Sequence, residues 1–222
     1  MNDMKTRLSL FAATLMLALT GSTAQTFPIE KLNPNMQRFY KGCMALRQGV
    51  IEKNAVTLDR AIDLLDEDPT NPDHIELYNL KITDVDTLPQ LSTKGRFVYT
   101  ADYADYFKET MGQGVYVEKP EALRNYPTTC QIAHRAIKPN GKVAYRALMS
   151  GDCRVFALAA PEGALKLTVT IDGETVPFTG ESYESGALSF AMWEMPPFPA
   201  KQVTLTIENT TNQALSFVLV SN

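Results

Sequence analysis

Residues 203–222 read VTLTIENTTNQALSFVLVSN, and this stretch decides the fold. Val203, Leu205 and Ile207 alternate with Thr204, Thr206 and Glu208. That period of two belongs to a strand with one face in a core and one in water. A polar turn over 209–212 follows, and Leu215, Phe217 and Leu219 resume the alternation. The same rhythm runs upstream. Leu165, Leu167, Val169 and Ile171 oppose Lys166, Thr168 and Thr170, while Val143, Tyr145, Ala147 and Met149 share one parity. Shorter runs occur at Tyr78, Leu80 and Ile82, at Phe97 and Tyr99, and over 115–117. Lys138-Pro139-Asn140-Gly141-Lys142 reads as a hairpin with Gly141 free to take a positive φ, and Asp172-Gly173 as a two-residue hairpin loop. Roughly eight to ten short strands, with no helix long enough to cross between parallel partners, predict a mainly β chain: an antiparallel β-sandwich or jelly roll.

Before the sandwich the period is helical. Met36, Phe39, Tyr40, Cys43, Met44, Val50 and Ile51 fall near an i, i+3, i+4, i+7 stripe, with Asn33 as N-cap and Pro34 in the first turn. Gly49 either ends this helix or sits inside it at a cost of ~1 kcal/mol relative to Ala. A second helix is expected over 55–66, capped by Asn54, with Val56 or Leu58, then Ala61, Ile62 and Leu65, on its apolar face. Pro69 and Pro72 stop it. A short helix is expected near 101–109, where Tyr103, Tyr106 and Phe107 are correctly spaced. A helical hairpin of this size cannot bury its stripe alone, so it must pack on the sandwich or on another chain.

The first 24 residues do not read as fold. Lys5 and Arg7 precede the apolar run LSLFAATLMLAL (8–19), and Gly21, Ser22, Thr23 and Ala24 supply small residues before a cleavage point. This is the three-part secretory signal, and its apolar run is too short for a bilayer span of ~20 residues. Removing 24 of the 222 residues leaves 198 and takes the net charge from −4 to −5. No Cys follows the run, so the expectation is an exported protein, periplasmic or extracellular, that is not a lipoprotein and has no membrane span after signal removal. The expected division is 1–24 signal peptide, 25–73 helical hairpin and 74–222 antiparallel β-sandwich. A composition of 45% hydrophobic and 21% charged residues excludes disordered and collagen-like chains. The mild negative charge argues against nucleic acid as a partner.

The features KPNGKVAYRALMSGDCRVFALAA, LKLTVTIDG and VTLTIENTTNQALSFVLVSN make 137–222 resemble a prepeptidase C-terminal-like β-sandwich module. That resemblance implies a non-catalytic jelly roll on an exported protein. The family often has an Asp-x-Asp-Leu-Tyr run after its long strand, where this chain has Ile171-Asp172-Gly173-Glu174. The stretch ALRQGVIEKNAVTLDRAIDLLDEDPTNPD resembles one tetratricopeptide repeat, and such repeats need stacked copies to bury their faces. The whole chain is similar to small exported proteins of Bacteroidetes-type bacteria, which implies location but no activity.

Little raw material for chemistry is present: 3 Cys and 2 His. No G-x-S-x-G elbow, P-loop or G-x-G-x-x-G occurs. His74 lies in a polar turn. His134 shares strand parity with Cys130, four residues apart, which in a strand means ~13 Å and excludes a local catalytic couple. No catalytic residue, metal ligand or cofactor is assigned. Either Cys130 and Cys153 are bridged, closing a loop worth about 3 kcal/mol, or all three cysteines are buried thiols. Asp63, Asp66, Glu67, Asp68, Asp73 and Glu76 form an acidic helix end that fails the EF-hand pattern at Asn71 and Leu77.

Trp193 lies in a strand apolar on both parities, so its face is either covered by the helices or exposed. If exposed, Tyr183, Glu184, Trp193 and Glu194 form a candidate binding surface for carbohydrate or peptide. Met195-Pro196-Pro197-Phe198-Pro199 reads as a crossover between sheets or a docking edge. Asp86-Thr87-Leu88 and Asn209-Thr210-Thr211 match glycosylation tripeptides. The expected function is a non-enzymatic exported binding or accessory module at the cell envelope, with an envelope glycan or protein as partner. An assembly protein oligomerising through the helical hairpin and a glycan-acting hydrolase with dispersed carboxylates are the alternatives.

Overall fold

The computed structural model describes residues 26–222 apart from 69, 74, 76–77, 80–83, 88–90, 93, 118–129, 177–180 and 184–185. The expected signal segment, His74, Leu80, Ile82, Leu88 and Glu184 therefore lie outside the described residues.

Two α-helices come first, and a third follows after two short strands. Helix α1 (Pro34–Glu52) starts where the Asn33 side chain accepts from the Met36 N–H at 2.8 Å, with Pro34 in the first turn. It runs through Gly49 and ends at Lys53 in the left-handed region. Helix α2 (Ala55–Leu65) is capped by Asn54, which accepts from the Thr57 N–H at 3.2 Å, and it buries Leu58, Ala61 and Leu65. Gly49 is interior for a packing reason. A Cβ there would stand 2.8 Å from Leu58 carbons, and one at Gly42 would stand 2.7 Å from Leu65 carbons. The two glycines let α2 lie close along α1. Helix α3 (Ala101–Thr110), capped by Thr100, packs on α2 and joins it through the Lys108–Asp59 ion pair.

The strands are β1 (Tyr78–Asn79), β2 (Asp84–Thr87), β3 (Gln131–Ile137), β4 (Lys142–Met149), β5 (Asp152–Ala159), β6 (Leu165–Ile171), β7 (Glu174–Thr175), β8 (Glu181–Tyr183), β9 (Leu188–Glu194), β10 (Lys201–Asn209) and β11 (Leu215–Ser221). They form an inner sheet, β1-β3-β11-β5-β9-β8, and an outer sheet, β2-β4-β10-β6-β7. All pairs are antiparallel except β1–β3. The orders β3-β11-β5-β9 and β4-β10-β6-β7 are those of an eight-stranded jelly roll. The expected fold class, a mainly β antiparallel sandwich preceded by a helical hairpin, is the observed one.

Two cores make the molecule three layers deep. Between the sheets lie Tyr145, Leu167, Val169, Leu205, Phe217 and Trp193 with their neighbours. Between the helices and the inner sheet lie Phe39, Leu46, Phe156, Leu158, Phe190 and Val218 with theirs. The inner sheet is thus covered on both faces, and every residue of β11 is buried. The outer sheet has one wet face, so β10 alternates buried with half-buried residues through Val203–Asn209.

The layers are clasped at two points. Arg47 Nη2 donates to the Pro161 carbonyl at 2.5 Å, and its Nη1 reaches the carbonyls of Ala159 and Ala160 at 3.4 Å each. Tyr99 also donates to the Ala159 carbonyl. At the other point Phe27 is buried among Tyr40, Phe190, Tyr183 and Phe156, with ring centroids 4.5, 5.2, 5.5 and 6.3 Å away.

Two turn expectations need correction. Lys138–Lys142 is not a hairpin: it carries the chain from β3 in the inner sheet to β4 in the outer one. Asn140, not Gly141, takes the positive φ, 52°. Asp172-Gly173 is the expected two-residue hairpin, with φ of 51° and 89° at the two positions and Ile171 paired with Glu174.

Candidate functional site

Two of the four residues expected to share a binding surface, Tyr183 and Trp193, are buried on opposite faces of the inner sheet. Trp193 is 6% exposed and faces between the sheets, opposite Cys153 in the β5–β9 register. Tyr183 is buried on the other side of the inner sheet, against Phe27. Glu194 is exposed at the end of β9, and Glu184 lies outside the described residues. The physical reason is that both parities of β9 are covered. Leu188 and Phe190 meet the helical side, while Ala191 and Trp193 meet the outer sheet.

The Cys130–Cys153 bridge is also corrected, because all three cysteines are free thiols. Cys130 precedes β3 and Cys153 lies in β5, and β11 runs between these strands. The two thiols also belong to different cores, on opposite faces of the inner sheet. Burial pushes the Cys130 thiol up to about 12 and the Cys153 thiol to about 11, and raises Cys43 well above its ordinary value. Thiols so held stay protonated and are poor nucleophiles at neutral pH.

Two surface motifs are used structurally. Asp66 accepts from the Asp68 N–H at 2.8 Å and from Asn71 Nδ2 at 2.8 Å, and Asp68 accepts from the Thr70 N–H at 2.9 Å. The acidic helix end thus turns these carboxylates onto its own loop. Among the described residues no group of three or more His, Cys, Asp or Glu is placed to hold a metal ion. Asn209 is 1% exposed, and its Nδ2 donates to the carbonyls of Lys138 and Gln213 at 2.9 and 2.7 Å. The nitrogen that a glycan would need is already committed.

One candidate binding surface lies at an end of the sandwich. Met195 is buried and its N–H donates to the Gly151 carbonyl at 2.9 Å, so the loop over 195–200 is anchored to the β4–β5 turn. On its other side the Lys201–Asp172 ion pair, 3.0 Å, ties the start of β10 to the β6–β7 hairpin. From this base Phe198 projects with 87% of its surface exposed, flanked by Pro196, Pro197 and Pro199. Leu148, 66% exposed, lies near the same end of the outer sheet, where β4 pairs with the start of β10. Around this end Glu174 and Glu194 are exposed carboxylates, while Asp152 and Asp172 are paired with Arg154 and Lys201 at 3.3 and 3.0 Å. An apolar tip with an acidic rim suits contact with a partner that brings apolar and cationic groups together.

No protein-family model matches the chain, and no curated protein matches it in sequence. Among solved structures it is similar to a predicted oxalate decarboxylase from Thermotoga maritima, at 18% identity and TM-score 0.22, over 40% of this chain and 63% of that one. It is also similar to a cupin-superfamily sugar phosphate isomerase from Silicibacter pomeroyi, at 14% identity and TM-score 0.21, over 43% and 51%. A family GH115 4-O-methyl-alpha-glucuronidase specific for decorated arabinogalactans aligns at 10% identity and TM-score 0.26, over 84% of this chain and 28% of that one. Likenesses this weak carry no argument about activity.

A second group of exposed apolar side chains sits on the helical layer. Asp59 and Lys108 join α2 to α3. Val56 lies one turn before Asp59 and is 78% exposed; Met111 lies one turn after Lys108 and is 38% exposed. Ile51, at the end of α1 beside the turn into α2, is 60% exposed. No sequence pattern marked this group, because Ile51 and Val56 also fit the apolar stripes of their helices.

Proposed function

We propose that this chain is a non-enzymatic binding or accessory module, exported to the cell envelope, that meets its partner through the Phe198 tip. The observation that carries the reading is the contrast between a filled interior and an exposed tip. Both faces of the inner sheet are packed with apolar side chains. A large aromatic ring is instead held out in water by a loop anchored on both sides. Exposing such a ring gains nothing for folding, and a partner that buries it gains roughly 2–3 kcal/mol. The partner is an envelope protein or glycan, and the acidic rim favours one carrying cationic groups.

The test is a pull-down and glycan array with the purified protein and with Phe198→Ser, followed by affinity measurement on whatever is captured. The substitution is expected to leave the melting temperature unchanged and to weaken binding at least tenfold. Equal affinity of the two proteins refutes the tip as the contact. Amino-terminal sequencing of the protein from its host tests export, with Gln25 as the expected first residue.

The Ile51, Val56 and Met111 group favours a second reading, assembly through the helical layer. Light scattering separates the two. A stable oligomer that Val56→Glu dissolves supports assembly, and a monomer at high concentration removes it.

A further inference from the structure

The two exposed apolar groups of this chain are ringed by opposite charge. At the Phe198 tip, Glu194 ends β9 just before the loop, and Glu174 lies on the hairpin that the Lys201–Asp172 pair ties to the start of β10. Both carboxylates are exposed, and neither has an ion-pair partner among the described residues. The cations of this end, Arg154 and Lys201, are taken by Asp152 and Asp172 at 3.3 and 3.0 Å. On the helical layer the signs reverse. Val56 stands between Lys53, in the turn before α2, and Arg60, one turn later on the same face of α2. Both cations are exposed and have no ion-pair partner among the described residues. Of the acids nearby, Asp59 is taken by Lys108, and Glu52 accepts from Gln48 Nε2 at 3.0 Å. Phe198 is 87% and Val56 78% exposed, so neither covers the other within one copy.

We propose that the occupant of the Phe198 tip is a second copy of this chain. The tip of one copy docks on the helical face at Val56 of the next, with Glu194 and Glu174 set against Arg60 and Lys53. This rests on the tip as a contact surface and names what covers it. The apolar ring supplies the attraction, and the charges around it fix which surface it meets. Two tips facing each other would bring like charges together, as would two helical faces. The contact is therefore heterologous, joining two different surfaces. A dimer made this way still presents one free tip and one free helical face, so association continues into a chain unless the rotation closes a ring. One aromatic ring and two exposed charge pairs make a small interface. Assembly is therefore weak, grows with concentration and is reduced by salt.

The experiment is analytical ultracentrifugation of the purified protein over a range of concentrations, alongside Phe198→Ser, Val56→Glu and an equal mixture of the two. Wild type is expected to grow past the dimer as concentration rises and to fall back toward monomer in ~1 M salt. Each variant alone lacks one half of the contact, so its association should weaken at least tenfold. Mixed, the two should form a one-to-one heterodimer and nothing larger. The intact tip of Val56→Glu meets the intact helical face of Phe198→Ser, and no further contact remains. Both side chains are exposed, so neither change should alter the fold, and the wild-type concentration series requires no variant at all. A wild type that stays monomeric at ~1 mM overturns the proposal. So does a wild type that stops at a symmetric dimer, a single variant that associates like wild type, or a mixture that stays monomeric. If wild type is monomeric while Phe198→Ser still loses an envelope partner, the tip stands as a contact surface and only the second copy is removed as its occupant.

Discussion

Asn209 offers a sharp test of how the two sheets are joined. It ends β10, where the chain leaves the outer sheet for β11 in the inner one. Its side chain makes four hydrogen bonds. Nδ2 donates to Lys138 and Gln213, at 2.9 and 2.7 Å, and Oδ1 accepts from Thr211 N and Oγ1, at 2.9 and 2.7 Å. One amide therefore holds the β3–β4 and β10–β11 crossings together. The Thr211 groups are half-buried and can be rehydrated, so the two bonds from Nδ2 dominate the cost. Lys138 and Gln213 are exposed, so water can reach the freed carbonyls, and at ~1 kcal/mol net for each bond Asn209→Ala should lose about 2 kcal/mol. Asn209→Asp has the same shape and keeps both acceptors, but aims a carboxylate at two carbonyl oxygens. Its loss should be larger, about 3–5 kcal/mol. Trp193 is the only tryptophan and is buried, so urea unfolding can be followed by its fluorescence. If Asn209→Asp proves as stable as Asn209→Ala, or if both fall within ~0.5 kcal/mol of wild type, the knot is not what joins the crossings.

Three further perturbations test other parts of the fold. Arg47→Met removes the contacts to the carbonyls of Ala159, Ala160 and Pro161. It should cost about 1.5–3 kcal/mol, and hydrogen exchange should quicken in α1 and α2 while β10 and β11 keep their protection. Gly42→Ala gains ~1 kcal/mol of helix propensity but drives a methyl to 2.7 Å from Leu65 carbons. A net loss of about 1–2 kcal/mol in thermal unfolding is expected, and a stabilised variant would contradict the close packing. Tyr103, raised to about 12 by burial and then by Tyr106 and Tyr116, binds its proton more tightly folded than unfolded. Its contribution is complete below pH 10 and is lost as pH rises toward 12. Urea midpoints of Tyr103→Phe should therefore fall less steeply over that range than those of wild type.

Local pattern made the strands legible wherever one face is wet. β6 and β10 alternate because the outer sheet has a solvated face, and their registers pair Thr204 with Thr170 and Thr206 with Thr168 on that face. Capping chemistry made the first two helix starts legible, since Asn33 and Asn54 each accept a first-turn N–H. Sheet membership was not legible. The turn residues of Lys138–Lys142 reverse the chain whether the next strand pairs with the last or crosses to the other sheet. In a jelly roll successive strands mostly cross, so a sound turn reading led to an unsound hairpin and, from it, to the Cys130–Cys153 pairing.

Trp193 shows the same limit on the site. Parity divides β9 into two apolar faces, but it does not say which face the helices cover. The helices lie on the Leu188 and Phe190 side, and the outer sheet takes Ala191 and Trp193. Once both faces of the inner sheet are committed to cores, binding surface must come from the outer sheet, the loop ends or the outside of the helices. The outer sheet presents Lys142, Arg146, Lys166, four threonines and Glu208, with Lys142 and Glu208 paired at 3.3 Å. That is a well-hydrated surface with little to gain from contact. Among the described residues the exposed large apolar side chains are Phe198 and Leu148 at one end of the sandwich, Ile51, Val56 and Met111 on the helical layer, and Val115 and Val117 in the segment after α3. Covering both faces of one sheet thus moves recognition from the sandwich faces, where the sequence pattern is strongest, to loop and helix ends, where it is weakest.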